Sequence, residues 1–480
     1  MESKLPAPHP DKDKAANPMA ANPMNANPMN AALGRPDEGD DRGLQKYFAK
    51  KSPDPASGAF ASKFTVHAGT VGRSLAGAEA AEEFSKLLDN WGWEPTGVYL
   101  HVPFCQNRCL YCGFAGRGPR PDLLDRYADA LAGEIKFLAS RLPADPGPVR
   151  TVYFGGGTPT VLSPAQLEKI TSSLQKYLPL ANDLEMTLEG RVGDLSPEKV
   201  AGFLGCGINR FSLGVQSFNG KIRKSLGRHN EGTEAARLLG NLIKPQKAAV
   251  IIDLIYGLPG QTVEDFLADV RLADQIGVDG LDTYQLNTFP GGELEKAVQN
   301  GRLDPPAPLA EQGKYYLAAF DLLKDLRWRD LSLSHYARDT RERNIYNPWA
   351  KTRGTCLAVG AGAGGFLADH ATYRLPDAEN YLDNAEKGLF APDFVTSPDG
   401  RETATRLIVG QVERGWLRLE ELFALPDVSR ENVELLCRDY AGAGLVEISG
   451  DRLDLTPAGR FWGVNITQAL VTAATDKAAR

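Results

Sequence analysis

The chain has 480 residues, of which 42% are hydrophobic and 24% are charged, and its formal net charge is −7. This length allows a large core and more than one domain, and the composition is ordinary for a globular protein. The negative charge argues against a general nucleic-acid binder, which needs a basic face, but leaves room for a local basic pocket. No apolar run is long enough to span a membrane, and the N-terminus lacks a secretory signal, so we expect a cytoplasmic protein.

Residues 1–43 are predicted to be a disordered, low-complexity tail. The tetrapeptide Ala-Asn-Pro-Met occurs there at 16–19, 21–24 and 26–29. Asn-Pro pairs initiate turns, such a composition has little to bury, and this period is too short for a solenoid unit. Residues 44–90 are interpreted as an N-terminal extension.

Short apolar runs alternate with longer amphipathic runs over residues 91–305. Ser163 and Ser196 each place a capping hydroxyl before a proline at the first helical position. Alternating strands and helices predict an α/β fold with a parallel sheet, here a full or partial (β/α)6 barrel with its chemistry at the carboxyl ends of the strands. The expected strands cover 97–102, 150–156, 184–190, 210–216, 249–259 and 280–289. The expected helices cover 123–142, 163–178, 196–207 and 262–277.

The pattern changes again toward the C-terminus. Residues 306–395 are interpreted as a connecting region that flanks the barrel, and residues 396–470 as a winged-helix-like domain. In that domain, helices precede a short β-hairpin whose turn contains Gly450 and Asp451. Such modules often bind DNA, but no dense basic recognition helix is present here. We therefore expect a lid or packing domain and no nucleic-acid partner.

Three of the six cysteines, Cys105, Cys109 and Cys112, lie close together in the sequence. This clustering indicates metal ligation rather than a disulfide framework. Three thiolates at CxxxC and CxxC spacings can hold a [4Fe–4S] cluster and leave one iron open. That iron can chelate the amino and carboxylate groups of S-adenosylmethionine (SAM), whose reductive cleavage releases a 5′-deoxyadenosyl radical.

A structural zinc site is the alternative for these cysteines, but it needs a fourth His or Cys in a closed tetrahedron. His101 is a candidate, although we expect it to belong to the preceding strand. Cys206 and Cys437 lie in expected helices and are interpreted as packing residues, and no redox role is assigned to Cys356.

The segment 99–112 reads YxHxPFCxxxCxYC, which resembles the radical SAM superfamily, specifically the branch around oxygen-independent coproporphyrinogen oxidase. The resemblance continues through 155–159, Glu189, 210–218 and 253–259 into the C-terminal module, and covers about residues 90–470. It implies a radical SAM partial (β/α)6 barrel that uses a [4Fe–4S] cluster and SAM. It also implies an electron donor such as flavodoxin or ferredoxin.

The resemblance assigns SAM-binding roles to residues near strand ends. Glycine after a strand lets the backbone approach a ligand closely, and the carboxylate of Glu189 could bind the ammonium group of SAM. Each residue alone could be an ordinary strand-end polar group, but together they follow the order of the strands. The implied SAM-binding residues are Tyr99, Gly156, Gly157, Thr158, Glu189, Gln216, Arg228 and Asp253.

The same branch is known for a second SAM beside the first. Tyr111 occupies the position whose aromatic side chain contacts that second SAM in relatives, and Asn287 and Gly360 are weaker candidates. The glycine-rich run at 360–365 could be mistaken for a dinucleotide fingerprint. It does not open a first βαβ unit with an acidic residue about 20 positions on, so NAD is not expected.

Members of this branch differ at a few positions. The coproporphyrinogen-decarboxylating enzymes carry a further Cys two residues after the third ligand, where this chain has Phe114. The haem chaperones carry the motif HNxxYW. The most similar segment of this chain, 343–349, lacks the histidine and has a different spacing. The chain better resembles the anaerobic haem-degrading radical SAM methyltransferases (anaerobilin synthases) at 189–191, 346–347 and 356–365.

That group methylates haem and opens its ring without oxygen, releasing iron and a linear tetrapyrrole, which implies haem or a related porphyrin as substrate. A haem chaperone or trafficking protein and a coproporphyrinogen III dehydrogenase remain the alternatives. His335 could ligate haem iron or donate a proton to the opening ring, or could be a polar loop histidine. Arg338, Arg341 and Arg343 could pair with haem propionates or form a solvated face.

Overall fold

The computed structural model describes most of the chain beyond the predicted tail. The described residues are 43–64, 72–92, 94–107, 109–112, 118, 120–143, 146–228, 231–352 and 354–475. The Ala-Asn-Pro-Met repeats and Phe114 lie outside them. No helix among the described residues is long and apolar enough to cross a membrane.

Sixteen strands are present in this part of the chain. In order they are β1 Ser74–Ala76, β2 Thr96–Val102, β3 Val149–Gly156, β4 Leu180–Arg191, β5 Arg210–Gln216, β6 Ala249–Tyr256, β7 Gly280–Gln285, β8 Arg329–Asp330, β9 His335–Ala337, β10 Cys356–Val359, β11 Gly364–Leu367, β12 His370–Tyr373, β13 Phe394–Thr396, β14 Trp416–Arg418, β15 Val446–Ser449 and β16 Arg452–Leu455.

Several helices begin at a residue whose side chain caps the first turn. Ser163 and Thr262 each form a capping box, and Ser196 accepts from the Lys199 N–H. The α-helices are α1 Pro55–Gly58, α2 Gly77–Asp89, α3 Pro121–Ala139, α4 Pro164–Tyr177, α5 Pro197–Gly205, α6 Gly220–Ser225, α7 Gly232–Ile243, α8 Val263–Ile276, α9 Glu293–Gln299, α10 Leu309–Asp325, α11 Tyr346–Lys351, α12 Ala378–Ala385, α13 Glu402–Val412, α14 Leu419–Phe423, α15 Arg430–Gly442, α16 Pro457–Phe461 and α17 Gly463–Thr475. Short 3-10 helices cover Gly43–Tyr47, Pro159–Val161 and Val192–Asp194.

Thirteen strands form one sheet in the order β1-β13-β12-β11-β10-β2-β3-β4-β5-β6-β7-β9-β8. Strands β2 to β7 are parallel neighbours in chain order, and helices connect each strand to the next. Their carboxyl ends therefore meet at one edge of the sheet, as the predicted partial (β/α)6 barrel requires. Strand β10 adds in parallel beside β2, and β9 adds antiparallel beside β7.

Side chains alternate along the parallel strands. On β2, Val98 and Leu100 are buried in the main apolar core, whereas Tyr99 contacts the rings of Tyr153 and Tyr346. Because successive residues of a strand point to opposite faces, the polar and aromatic residues of β2 to β7 share the interior of the barrel. The apolar core between sheet and helices thus leaves a polar interior.

The C-terminal module contains a three-stranded antiparallel sheet, β14-β16-β15, with helices α13 to α17. This confirms the predicted winged-helix-like architecture. The N-terminal segment 43–64 packs against this module. The Tyr440 hydroxyl donates to Tyr47 O at 3.0 Å, and Trp462 Nε1 donates to Pro55 O at 3.0 Å.

Candidate functional site

The three clustered cysteines lie on the loop that follows β2, at the carboxyl edge of the parallel sheet. Cys105 and Cys109 are buried, and Cys112 is half-buried. Cys105 Sγ lies 3.1 Å from the Thr158 hydroxyl, and Arg191 Nη2 donates to Cys109 Sγ at 3.2 Å. The ends of β3 and β4 thus supply polar contacts to two of the three sulfur atoms.

A small apolar cluster holds the cysteine loop from the side of α6 and α9. The Leu110 N–H donates to Leu226 O at 3.4 Å, and the Leu294 N–H donates to Leu110 O at 3.1 Å. Leu110 and Tyr111 pack against the buried residues of this cluster. These are Ile222, Leu226, Ile255, Leu258, Leu286 and Leu294.

The chemistry of the donor set fits an iron–sulfur cluster. Burial alone would raise the pKa of the Cys109 thiol, but the charges of Arg228 and Arg191 outweigh it and lower that pKa. A lowered pKa favours the thiolate form that binds iron. Within the described ranges, no three His, Cys, Asp or Glu side chains are arranged to hold a single metal ion. The assignment of Cys105, Cys109 and Cys112 as the three protein ligands of a cluster stays a prediction.

The glycine turn at the end of β3 packs closely on β2 and on the cysteine loop. A Cβ atom on Gly156 would lie 2.6 Å from His101 Nε2, and one on Gly157 would lie 2.7 Å from Phe104 O. Gly156 also has a φ of 110°, which residues with side chains rarely adopt. The turn therefore requires glycine, and its backbone lies directly beside the cysteines.

Arg228 joins Tyr111 to β5 and, through Gln216, to β6. Its Nη2 donates to the Tyr111 hydroxyl at 2.7 Å, and its Nη1 donates to Gly214 O at 2.7 Å. In the amide orientation that satisfies its neighbours, Gln216 accepts from Arg228 Nη2 at 3.0 Å and donates to Asp253 O at 3.2 Å. The structure thus brings together Tyr111, Gln216, Arg228 and Asp253, which come from separate segments of the sequence.

Glu189 lies near the end of β4, inside the barrel. The Tyr153 hydroxyl donates to Glu189 Oε1 at 2.5 Å. Burial raises the pKa of Glu189, although hydrogen bonds from Tyr153 and from the Gly156 backbone oppose the increase. The rings of Tyr99, Tyr153 and Tyr346 stack with centroid distances from 4.2 to 6.2 Å. Tyr99 and Glu189 therefore belong to one aromatic and acidic wall of the interior.

A chain of buried charged residues crosses the interior near β7. Arg210 donates to both carboxylate oxygens of Glu342 at 3.0 Å. His335 Nε2 lies 3.1 Å from Glu342 Oε1, and His335 Nδ1 lies 2.9 Å from Asp282 Oδ1. Both ring nitrogens of His335 thus face carboxylates. A role for His335 as a ligand of haem iron would require one of these contacts to break.

The charge on His335 predicts a pH dependence of stability. Burial alone would lower the pKa of His335, but Asp282 and Glu342 raise it from 6.5 to about 9. A raised histidine pKa stabilises the fold fully below the unfolded pKa, and that contribution is lost as the pH rises through the folded pKa. We expect the free energy of unfolding to fall by about 3 kcal/mol between about pH 6 and pH 10 through this group.

Urea unfolding of the wild type and of His335→Gln at several pH values measures this loss. Asp253, whose pKa is raised to about 8, also titrates in this range. The effect of His335 is therefore read from the difference in the free energy of unfolding between the two proteins. The difference in the free energy of unfolding between the wild type and His335→Gln should become smaller as the pH rises. A gap that is independent of pH would show that His335 is not held in its charged form.

Asn287 and Gly360 are the weaker candidates for the second SAM, and Asn287 directly follows Leu286, which belongs to the apolar cluster against which Tyr111 packs. Asn287 is half-buried on the segment after β7, and Gly360 follows β10. The Gly360 N–H donates to Glu134 Oε2 at 2.9 Å, and a Cβ atom on Gly360 would lie 2.8 Å from His101 O. In the part of the chain that the structure describes, no hydrogen bond joins either residue to Tyr111. Both stay predictions.

Two arginines near His335 lie away from the cysteine loop. The Arg338 N–H donates to Asp279 O at 2.9 Å, Arg341 Nε lies 2.8 Å from Asp279 Oδ1, and Arg341 Nη2 donates to Ala248 O at 2.9 Å. Asp279 and Ala248 directly precede β7 and β6, so these contacts lie at the amino edge of the sheet. A charged outer face describes Arg338 and Arg341 better than a propionate site beside the cysteines.

Several residues of the site had no predicted role. Tyr153 lies two positions before Gly155, and Arg191 lies two positions after Glu189, so strand alternation places each pair on one face. That alternation is the signal that could have identified them. Arg210 and Glu342 are separated by 132 positions, and no local pattern connects them.

The three remaining cysteines are buried apart from the cysteine loop. Cys206 is the C-cap residue after α5, Cys437 lies within α15, and Cys356 begins β10. Burial raises the pKa of Cys356 and that of Cys437 to about 12. Thiols in such surroundings act as packing residues, in agreement with the interpretation of Cys206 and Cys437.

Comparison with known proteins places these features in a family. Residues 99–273 match the model of the Radical SAM superfamily. The chain is 39% identical over 374 residues to anaerobilin synthase of Escherichia coli O157:H7, which covers 78% of this chain and 83% of that protein. It is 31% identical over 390 residues to the haem chaperone HemW of Mycobacterium tuberculosis, which covers 79% of this chain and 95% of that protein.

The fold also matches a solved structure. Coproporphyrinogen III oxidase (HemN) from Escherichia coli aligns over 82% of this chain and 93% of its own chain, with a TM-score of 0.69 and 22% identity. This likeness confirms the predicted fold. Together with the family match and the relatives, it shows that the chain belongs to the radical SAM superfamily, whose [4Fe–4S] cluster and SAM were expected from the cysteine motif.

Proposed function

We propose that Cys105, Cys109 and Cys112 hold a [4Fe–4S] cluster at the carboxyl edge of the barrel. A reduced cluster of this kind, when bound, supplies the electron that cleaves SAM to a carbon radical. The residues of this chain shape the place where that occurs. Thr158 and Arg191 contact two of the sulfur atoms, and such contacts tune the thiolates that bind iron.

The same edge offers a site for SAM. The turn at Gly156 and Gly157 packs against His101 and Phe104, where a Cβ atom would clash, and this packing holds its backbone beside the cysteine loop. Glu189 lies beside this turn and can accept hydrogen bonds from an ammonium group. Gln216 and Arg228 can orient the remaining polar groups of the ligand. A second SAM would lie near Tyr111, whose hydroxyl Arg228 holds.

The proposed reaction is the methylation of haem and the opening of its ring without oxygen, with release of iron and a linear tetrapyrrole. The similarity to anaerobilin synthase over most of both chains carries this proposal. Phe114 supports it, because the coproporphyrinogen-decarboxylating members of the branch that this chain resembles carry Cys at that position.

One aromatic residue is suited to a planar substrate. Tyr284 is 42% exposed, although it shares a face of β7 with the buried Asp282, to which its hydroxyl is hydrogen-bonded. It lies at the carboxyl end of β7, on the same edge as the cysteine loop. Aromatic rings stack favourably on flat conjugated systems. We therefore assign Tyr284 a stacking role toward the macrocycle.

Anaerobic incubation of the reconstituted protein with SAM, haem and a strong reductant tests this function. A methylated, linear tetrapyrrole is the expected product, with release of iron. SAM cleavage with unchanged haem would overturn the proposal and favour the haem chaperone, which the similarity to HemW keeps as the second candidate. Conversion of coproporphyrinogen III to protoporphyrinogen IX would instead identify a biosynthetic enzyme.

A further inference from the structure

An open depression of about 460 Å³ lies directly beside the cysteine loop. Its apolar part is formed by Leu110, Ala297 and Leu303. Leu110 lies in the chain between Cys109 and Cys112, so the same backbone segment lines the depression and carries the proposed ligands. A molecule in this depression would be separated from the cluster site by little more than the loop itself.

Three basic side chains line the depression. Lys221 and Lys224 project from α6, Arg302 follows α9, and all three are exposed. None of them forms an ion pair with another residue that the structure describes. The residues of α6 include no acidic side chain, although the whole chain carries a net charge of −7. The depression is therefore a local positive surface on an acidic protein.

The helix that carries the two lysines is fixed in orientation. Arg223, between them, is buried and donates from Nη1 to Val215 O at 2.8 Å and to Ser217 O at 3.0 Å. This anchor joins α6 to the end of β5, so Lys221 and Lys224 remain on the outer side. On α9, Lys296 lies 3.0 Å from Glu293, and its positive charge offsets the negative charge of Glu293 near the depression.

We propose that this depression, bounded by Lys221, Lys224, Arg302 and Leu110, is the docking surface for an acidic one-electron carrier protein. The inference rests on the proposed cluster. In the step it serves, the reduced carrier loses one electron and the cluster gains it, and no bond or proton is exchanged. Complementary charge accelerates such encounters, and redox complexes typically bury small interfaces, which suits an open and shallow site.

The test uses the reconstituted holoprotein and reduced flavodoxin as the probe. The triple variant Lys221→Glu, Lys224→Glu, Arg302→Glu is compared with the wild type. A matched control, Lys136→Glu, Lys314→Glu, Lys324→Glu, changes the net charge equally at exposed positions of α3 and α10. Stopped-flow bleaching of the visible cluster absorbance gives the reduction rate without any substrate turnover.

We expect the triple variant to lower the second-order rate of cluster reduction by roughly 10- to 100-fold at low ionic strength. The difference should shrink at about 1 M salt, where charges are screened within about 3 Å. The control variant should reduce at nearly the wild-type rate. Reduction by dithionite, which needs no docking, should be the same in all three proteins and reports an intact cluster.

Two results would overturn the proposal. Equal rates of reduction by flavodoxin in the triple variant and the control would show that the depression is not the docking surface. An unchanged rate together with weakened haem binding, measured by absorbance titration, would show that the basic residues bind substrate carboxylates instead. Failure of the proposed function appears separately, because dithionite-reduced wild type would then leave haem unchanged while the docking rates still differ.

Discussion

Replacing Cys109 by alanine is expected to remove the bound iron and all SAM cleavage. Two remaining thiolates cannot hold a cluster that this loop would bind with three, and Arg191 would lose the sulfur that it contacts. Iron should fall from about four atoms per chain to near zero. The rate of formation of 5′-deoxyadenosine should fall at least about 1,000-fold, which corresponds to an increase of about 4 kcal/mol in the activation free energy of SAM cleavage. Iron analysis and product chromatography of anaerobically reconstituted protein measure both quantities.

The matched control for this variant is Cys206→Ala. Cys206 is also buried, but it is the C-cap residue after α5, and its Sγ lies 3.6 Å from Pro164 O rather than near the cysteine loop. It should keep full iron content and lose about 1 kcal/mol of stability through the small cavity that it leaves. Full iron content in Cys109→Ala, or equal losses in both variants, would show that Cys109 is not a ligand.

The parallel part of the fold could be predicted because its signals are local. The apolar runs that form β2 to β7 are long enough to be recognised as strands from the sequence. Serine caps mark where α4 and α5 begin. The clustered cysteines also lie within one short segment. Parallel strand order then brings the carboxyl ends together without any further information.

The extension of the sheet could not be predicted in the same way. Strands β10 to β13 have only three or four residues each, so they carry no usable periodicity. Residues 306–395 were therefore interpreted as a connecting region, although they supply β10, which pairs in parallel with β2. This pairing depends on tertiary contacts such as the one between Gly360 and Glu134, which lie 226 positions apart.

The contact partners of His335 could not be predicted from the sequence, for a related reason. Strand β9 has three residues and pairs antiparallel with β7, which places His335 opposite Asp282. Arg210 reaches the same network from β5 through Glu342. A histidine in a polar sequence indicates a loop or a ligand, and only the three-dimensional pairing reveals that both of its nitrogens face carboxylates.

Removing the charge of Glu342 should destabilise the protein more than any exposed charge change. Glu342 is 2% exposed, and Arg210 and His335 both contact it. Burial alone would raise the pKa of Glu342, but these two cations lower it to about 2, so it is ionised at neutral pH. Glu342→Gln keeps the shape and leaves the cations without that partner. We expect a loss of about 3 kcal/mol or more in the free energy of unfolding.

Urea unfolding of Glu342→Gln and of an exposed control measures the effect. Glu234→Gln breaks a surface pair, in which Arg237 Nη2 lies 2.8 Å from Glu234 Oε1, and should lower the free energy of unfolding far less than Glu342→Gln does. The double variant Arg210→Met, Glu342→Leu removes the cation and the carboxylate together and should be less destabilised than Glu342→Gln alone. A double variant that is the least stable of the three would mean that the pair itself, rather than the uncompensated cation, provides the stability.

The pH dependence of Glu342→Gln provides a second, independent measure of the same network. His335 is left with Asp282 as its remaining contacting carboxylate, so its pKa should fall below the wild-type value of about 9. Because a raised histidine pKa stabilises the fold only while the ring is charged, the alkaline loss of stability should then begin at lower pH. Nuclear magnetic resonance titration of the His335 ring follows the pKa directly. An unchanged His335 pKa in a destabilised variant would assign the lost stability to Arg210 alone.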